Sequence, residues 1–326
     1  VTLPSLDILR QLKIARYLAI YEAGSAGVRL PDFKGATFRG SFGHALRQAS
    51  CACGVRAAVH HDACVYKYLF EMKAGDDGIK RQGFEDVPRP FLICPPADKR
   101  NEYGPGERIC LSFTLFGRAC GFLPMFVYAL DLLGRNGIGA GRNPVMLRQV
   151  FALDEDGDLA EQVYSWKTGQ VTRGTYTLDI AALHNRGMEA YAASGLKQVV
   201  MHCETPLRLK HRGELVKIPL FSAIVETAVR RFYSLLRFHH DGAEEVPMPP
   251  AIREEPAELV ANRTAWESWE RYSSRQRARI PAGGLVGQAV YAGDLAPYAG
   301  LLPLIECVHL GKNTTFGLGK VTFRFI

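Results

Sequence analysis

Near the carboxyl end of this 326-residue chain stands HLGKNTTFGLGK (His309–Lys320). Gly311, Gly317 and Gly319 would let backbone amides approach a ligand closely. Lys312 and Lys320 supply charge, and Thr314 and Thr315 supply hydroxyls. That mixture suits a phosphate backbone, and it equally suits a tight helix-to-strand connection with incidental lysines. A nucleotide P-loop is excluded: GxxxxGK[ST] is absent and the segment precedes a strand. A second candidate is FRGSFGHALR (Phe38–Arg47). At about 100° per residue, Phe38, Phe42, Ala45, Leu46 and Ala49 make one apolar stripe, while Gly40, His44, Arg47 and Cys51 share the opposite face. A histidine and an arginine one turn apart, beside a glycine that leaves room, can meet a phosphodiester; a solvated helix face looks the same.

Two further groupings invite a chemical reading. Cys51, Cys53, His60 or His61, and Cys64 lie close enough in sequence to suggest zinc. C-x-C is a less usual spacing than C-x₂-C, and no second C-x₂-C follows. The expectation is therefore inert thiols and no metal in the chemistry, with a structural zinc as the alternative. Basic residues cluster at Arg208, Lys210 and Arg212, at Arg230, Arg231 and Arg237, and at Arg271, Arg275, Arg277 and Arg279, the last group interleaved with Trp266, Trp269 and Tyr272. Charge plus stacking surface suits RNA loops and single strands; paired helical arginines also suit a solvated face. The pairs His60–His61 and His239–His240 read as exposed, and Tyr66 and Tyr68 in YKYLF read more readily as core.

The elements that must position these residues appear twice in the same order. Strand-like Arg10–Ala23, helical Gly35–Ala49, strands Pro90–Pro95 and Arg108–Phe116, helical Leu123–Leu133 and a strand at Val145–Leu153 give β-α-β-β-α-β. In the second half, Gln198–Leu209, the helix Phe221–Phe238, strands Trp266–Gln276 and Leu285–Tyr291 about a Gly283-Gly284 turn, a short helix Asp294–Cys307 capped by Asp294, and Val321–Ile326 give it again. The connector, roughly Asp154–Leu196, shows no clear pattern. The prediction is an α+β protein of two tandem ferredoxin-like (RRM-like, βαββαβ) domains, 1–195 with the connector and 196–326, with a glycine-rich loop before the last strand. A composition of 47% hydrophobic and 22% charged residues excludes wholesale disorder and a small disulfide scaffold. A net charge of +7 permits an anionic partner without demanding one. No apolar run reaches membrane-spanning length, and eight cysteines without a recognisable leader predict reduced thiols in a cytoplasm.

The terminal HLGKNTTFGLGK resembles the glycine-rich loop of the RAMP superfamily of CRISPR-associated RNA-binding proteins. FRGSFGHALR, CVYKYLFE (Cys64–Glu71), PRPF (Pro88–Phe91), TPLRLK (Thr205–Lys210), WERYSSRQ (Trp269–Gln276) and GGLVG (Gly283–Gly287) are similar, in the expected order, to the Cas-six type of endoribonuclease within it. The resemblance implies two tandem ferredoxin-like domains, no cofactor, and metal-independent cleavage of precursor CRISPR RNA within its repeat, leaving a 2′,3′-cyclic phosphate and a 5′-hydroxyl. Such chemistry needs a base at the 2′-OH, an acid at the leaving 5′-oxygen and cations at the phosphorane. The family's catalytic histidine commonly lies on or near the first helix, which selects His44 as general acid or base. Arg47, and Tyr66 by analogy with relatives that use tyrosine beside the histidine, complete the expected catalytic set. The expected RNA-binding residues are Arg39, Arg208, Lys210, Arg271, Arg275, Arg277, His309, Gly311, Lys312, Thr314, Thr315, Phe316, Gly317, Gly319 and Lys320. The expected partner is the repeat hairpin of precursor CRISPR RNA, with a CRISPR effector complex or a homodimer as further associations. The alternative function is a non-catalytic RAMP subunit that binds guide RNA.

Overall fold

The structure is a computed structural model describing residues 3–54, 59–73, 87–96, 98–172, 176–211, 213–240, 242, 246–247, 249, 252, 255–273 and 278–326, without side chains at 270–273 and 278–281. The main elements in chain order are α1 (Leu6–Arg10), β1 (Ile14–Ala23), α2 (Lys34–Ser50), β2 (Phe91–Cys94), β3 (Arg108–Phe116), α3 (Leu123–Asn136), β4 (Val145–Leu153), β5 (Leu159–Ser165), α4 (Ile180–Ala193), β6 (Gln198–Leu207), α5 (Phe221–His239), β7 (Ala257–Ser273), β8 (Ala278–Gly293), α6 (Leu302–Val308) and β9 (Val321–Phe325). They separate into two compact units. One holds Lys13–Leu178 and Arg237–Glu244; the other holds Val1–Leu12, Asp179–Leu236 and Glu245–Ile326.

In the first unit, β1 alternates. Ala15, Tyr17, Ala19, Tyr21 and Ala23 are buried while Arg16, Leu18, Ile20 and Glu22 between them are half-exposed. That period of two belongs to a central strand with one packed face. β1 pairs antiparallel with β3, Tyr17 opposite Phe113, and with β4, Tyr17 opposite Ala152. The sheet runs β2-β3-β1-β4-β5. Omitting the added edge strand β5, the order is second, third, first, fourth, which is the ferredoxin-like arrangement expected of βαββαβ. The apolar stripe predicted on α2 is the packed face: Phe38, Phe42, Ala45 and Leu46 are fully buried. Phe42 meets Phe91 and Phe126 of α3 at ring-centroid distances of 5.7 and 4.6 Å. The Tyr21 hydroxyl, carried into this layer, donates to the Leu130 carbonyl at 3.0 Å.

The second unit repeats the plan. Its sheet runs β7-β8-β6-β9, again second, third, first, fourth. Phe221, Ile224, Val225, Ala228, Val229 and Phe232 of α5 cover it.

Several expected elements differ in extent. α1 precedes β1 because Ser5 caps it, its hydroxyl accepting from the Ile8 amide, so the strand begins at Ile14 rather than Arg10. The connector holds the edge strand β5 and the helix α4, capped by Asp179, whose carboxylate accepts from the Ala181 and Ala182 amides. β7 and β8 form one long hairpin, so Gly283-Gly284 is not a turn but lies inside β8. A Cβ on Gly283 would meet the Trp266 indole at 2.6 Å, and one on Gly284 would meet the Leu207 backbone at 2.8 Å, so both glycines serve close approach. Asp294 is not the cap of α6: a 3₁₀ turn at Ala296–Tyr298 precedes that helix, whose cap position is Leu301.

Candidate RNA-binding site

His44 sits on α2 with its side chain exposed, on the face opposite the packed stripe. Gly40, one turn before it, is exposed, and a Cβ there would meet nothing within 4 Å. Arg47, one turn after it, is half-buried and holds its guanidinium 5.6 Å from the centre of the Tyr66 ring. Arg39, five residues before His44 on the same helix, lies 4.4 Å over Phe70. Gly43 lets Phe70 close onto α2, since a Cβ there would stand 2.5 Å from that ring. So Cys64–Glu71, which ends in a π-turn at Lys67–Glu71, lies along α2 and supports its two arginines by cation–π contact, worth about 0.5–1 kcal/mol each at exposed sites.

Tyr66, expected beside His44 in the catalytic set, is packed rather than exposed. It is 6% exposed, its hydroxyl donates to Glu71 at 3.0 Å, and burial with the adjacent Glu71 carboxylate pushes the phenol up to about 12. The core reading of Tyr66 fits this packing, and its ring braces Arg47. Its neighbours Lys67 and Tyr68 have another place, lining a cavity of about 650 Å³ with Lys13, Arg118 and Phe122. Arg118 sits 5.2 Å over the Tyr68 ring.

In the second unit the glycine-rich loop is folded against TPLRLK. The Lys312 amide donates to the Arg208 carbonyl at 2.9 Å and the Gly319 amide to Pro206 at 3.1 Å. The Lys320 amide donates to the Thr205 hydroxyl, which itself donates to the Gly317 carbonyl at 2.8 Å. Gly311 and Gly319 have φ of +78° and +71°, and a Cβ on either would fall within 2.2 Å of a carbonyl oxygen. These glycines therefore let the chain approach itself, and the loop amides at 312, 317, 319 and 320 bond inside the protein. What the loop offers outward is side chains. Lys320 is exposed, and Lys312, Thr315 and Phe316 are half-exposed. Thr314 is buried, as are Gly317 and Gly319. Arg208 is brought beside Trp266, with its guanidinium 5.8 Å from that ring, and Lys210 is exposed two residues on. Arg275 and Arg277 lie outside the described residues, and for Arg271 only the backbone is described.

His309, expected to touch RNA, is corrected to a core residue. It is 4% exposed, and its Nδ1 donates to the Leu318 carbonyl at 3.2 Å. Burial, aided by the Arg231 and Lys320 cations, pushes the imidazole down to about 3. The folded protein thus refuses a proton that the unfolded chain accepts near pH 6.5. Stability is intact above that value and falls as pH drops from there towards 3, by about 1.4 kcal/mol per pH unit at its steepest. A His309→Gln variant should lose this part of the acid sensitivity, read as urea midpoints at pH 7 and 5; equal pH dependence in both proteins would contradict it. His60 and His239, expected on the surface, are also buried. His239 donates through Nε2 to the Pro88 carbonyl at 2.8 Å. Of the arginines read as a basic helix face, Arg237 is buried, and Arg231 donates to the Val308 carbonyl at 2.6 Å, capping α6.

Comparison with known proteins finds two family models that match different parts of the chain. The model for the CRISPR-associated endoribonuclease Cas6 matches residues 201–321, and an N-terminal domain model, AF_1859_N, matches residues 12–176. The carboxyl-terminal part of the chain is similar to the Cas6 endoribonucleases. An uncharacterized protein of Archaeoglobus fulgidus is 26% identical to this chain over 324 residues, covering 97% of it and 98% of the relative. A solved Cas6 product complex shares its fold at TM-score 0.52 and 13% identity, over 95% of this chain and 99% of that one. A partial Cas6-RT-Cas1–Cas2 complex does so at 0.55 and 12%, over 99% of this chain and 47% of that one. Among the described residues, no helix is long and apolar enough to cross a membrane.

Proposed function

We propose that the protein binds the repeat hairpin of precursor CRISPR RNA and cuts it by attack of a ribose 2′-OH on the adjacent phosphorus. The P–O5′ bond breaks, the 2′-OH proton leaves to a base, the departing 5′-oxygen receives a proton, and the ends are a 2′,3′-cyclic phosphate and a 5′-hydroxyl. No metal takes part in the reaction. One observation carries this reading: His44 is an exposed imidazole on the polar face of α2, with an open glycine one turn before it and an arginine one turn after. Imidazole can move either proton near neutral pH. Arg47 and Arg39, held on aromatic rings, supply positive charge for the phosphorane. In the second unit, Lys312, Lys320, Arg208 and Lys210 hold phosphates, Trp266 and Phe316 offer stacking faces, and Arg271, Arg275 and Arg277 add basic charge to the RNA-binding set. The guide-bearing association of the product, in a CRISPR effector complex or a homodimer, belongs to this proposal as a consequence of RNA retention.

A repeat RNA with one 2′-deoxy nucleotide immediately upstream of the cut tests it. Cleavage at that linkage should stop while binding persists, because the nucleophile is gone and the phosphates remain. Continued cleavage of the deoxy substrate overturns the mechanism. Tight binding with no cleavage of the all-ribose repeat makes the protein a guide-binding subunit instead.

A further inference from the structure

The end of α2 carries a second grouping whose chemistry the RNA reading does not use. Cys51 is the C-cap of α2, its amide donating to the Arg47 carbonyl at 3.0 Å. The chain then turns, and the His61 amide donates to Cys53 Sγ at 3.4 Å. The Cys64 amide closes a turn onto the His61 carbonyl at 3.1 Å. The result brings Cys51 Sγ, Cys53 Sγ, Cys64 Sγ and a ring nitrogen of His60 within 4.8 Å of one another. His60 Nδ1 lies 3.3 Å from Cys51 Sγ and 3.9 Å from Cys64 Sγ.

Those separations fit one ion. With Zn–S about 2.3 Å and Zn–N about 2.0–2.1 Å in a tetrahedron, sulfur and nitrogen should stand about 3.6 Å apart. The imidazole is also prepared as a ligand. Its side chain is 4% exposed, and its far nitrogen, Nε2, lies 3.8 Å from the Glu71 carboxylate, the outer partner that orients a metal-bound histidine and raises its basicity. Glu71 is in turn held by the Tyr66 hydroxyl. Three sulfurs and one imidazole in a closed tetrahedral set select zinc over oxygen-loving cations, and leave no open position for substrate.

We propose that Cys51, Cys53, His60 and Cys64 bind one structural zinc ion, which ties the C-terminal end of α2 to the segment Cys64–Glu71 that packs along it. The ion replaces thiol protons, so binding releases protons and becomes part of the folding free energy. The spacing C-x-C-x₆-H-x₃-C is not the usual repeated C-x₂-C; the convergence depends on the helix end and on the turn at His61–Cys64, neither of which a spacing rule contains. This inference stands whether or not the protein cleaves RNA.

The test uses the full chain and reads metal, not activity. Elemental analysis of purified protein should find one zinc per chain, and Cys53→Ser and Cys64→Ser should each lose it, while Cys110→Ser, on β3, keeps it. Should the cysteine variants fold poorly, cobalt titration of the chelator-stripped wild type decides without them: thiolate-to-cobalt charge transfer and intense tetrahedral d–d absorption should saturate at one equivalent. Glu71→Gln should fold, and should weaken zinc binding about 10- to 100-fold. A metal-free protein that shows no cobalt spectrum overturns the proposal. So does zinc retained undiminished in both cysteine variants, or a disulfide among these three thiols in the folded, metal-free chain.

Discussion

A His44→Ala protein should bind repeat RNA within about threefold of wild type and cleave it about 10²- to 10⁴-fold more slowly, the range for loss of one positioned general acid or base. The separation of effects follows from where the residue sits. His44 is exposed and faces away from Phe38, Phe42 and Leu46, so its loss removes no packing and should change stability by no more than about 0.5 kcal/mol. Single-turnover cleavage with protein in excess, beside filter binding, reads both quantities. Its proton role is separable too. A repeat RNA with sulfur in place of the bridging 5′-oxygen has a leaving group that needs no acid. If His44 is the acid, the alanine variant cuts this RNA about as fast as wild type; if it is the base, the deficit remains. An alanine variant that cleaves ordinary repeat RNA at the wild-type rate removes His44 from the mechanism.

The reason His44 could be found in the sequence is the reason several of its companions could not. An amphipathic helix announces both faces: the stripe that packs fixes which residues remain outside, and α2 buries the residues its period selects. The alternation in β1 and the apolar run of α5 work the same way, so both βαββαβ units are legible. β5 gives no such signal, because Leu159, Ala160, Glu161 and Gln162 are all exposed at a sheet edge. β7 is similar, with Trp266, Glu267 and Ser268 in solvent along a hairpin longer than its apolar content suggests. Histidine burial is a tertiary property: nothing local in VHHDAC, RFHH or CVHL distinguishes the buried His60, His239 and His309 from exposed ones. Glycine was the most deceptive type. In HLGKNTTFGLGK, the ligand-facing and self-facing explanations demand the same residue, and only the carbonyls of Pro206, Arg208 and Leu310 decide between them.

That self-facing role carries the second large effect. Gly319→Ala should destabilise the second unit by about 3 kcal/mol and weaken RNA binding through the loss of an ordered loop. Two costs combine. An alanine at φ +71° pays the left-handed penalty of about 1–2 kcal/mol, and its Cβ would be placed 1.9 Å from the Leu310 carbonyl oxygen, which is backbone and can yield only by moving the chain. That movement parts the pair of bonds closing the loop, the Leu310 amide on the Gly319 carbonyl and the Gly319 amide on the Pro206 carbonyl. Gly157→Ala isolates the first cost, since Gly157 has φ +90° and nothing within 4 Å of its missing Cβ; it should lose only about 1–2 kcal/mol. Lys320→Ala isolates the charge: it should keep its stability and lower the salt slope of RNA binding by about 1. Urea unfolding of the three variants, with binding measured across a salt series, sets them apart. If Gly319→Ala proves no worse than Gly157→Ala in both measurements, the loop is not braced against Pro206 and Leu310, and its glycines must be explained by the RNA they face.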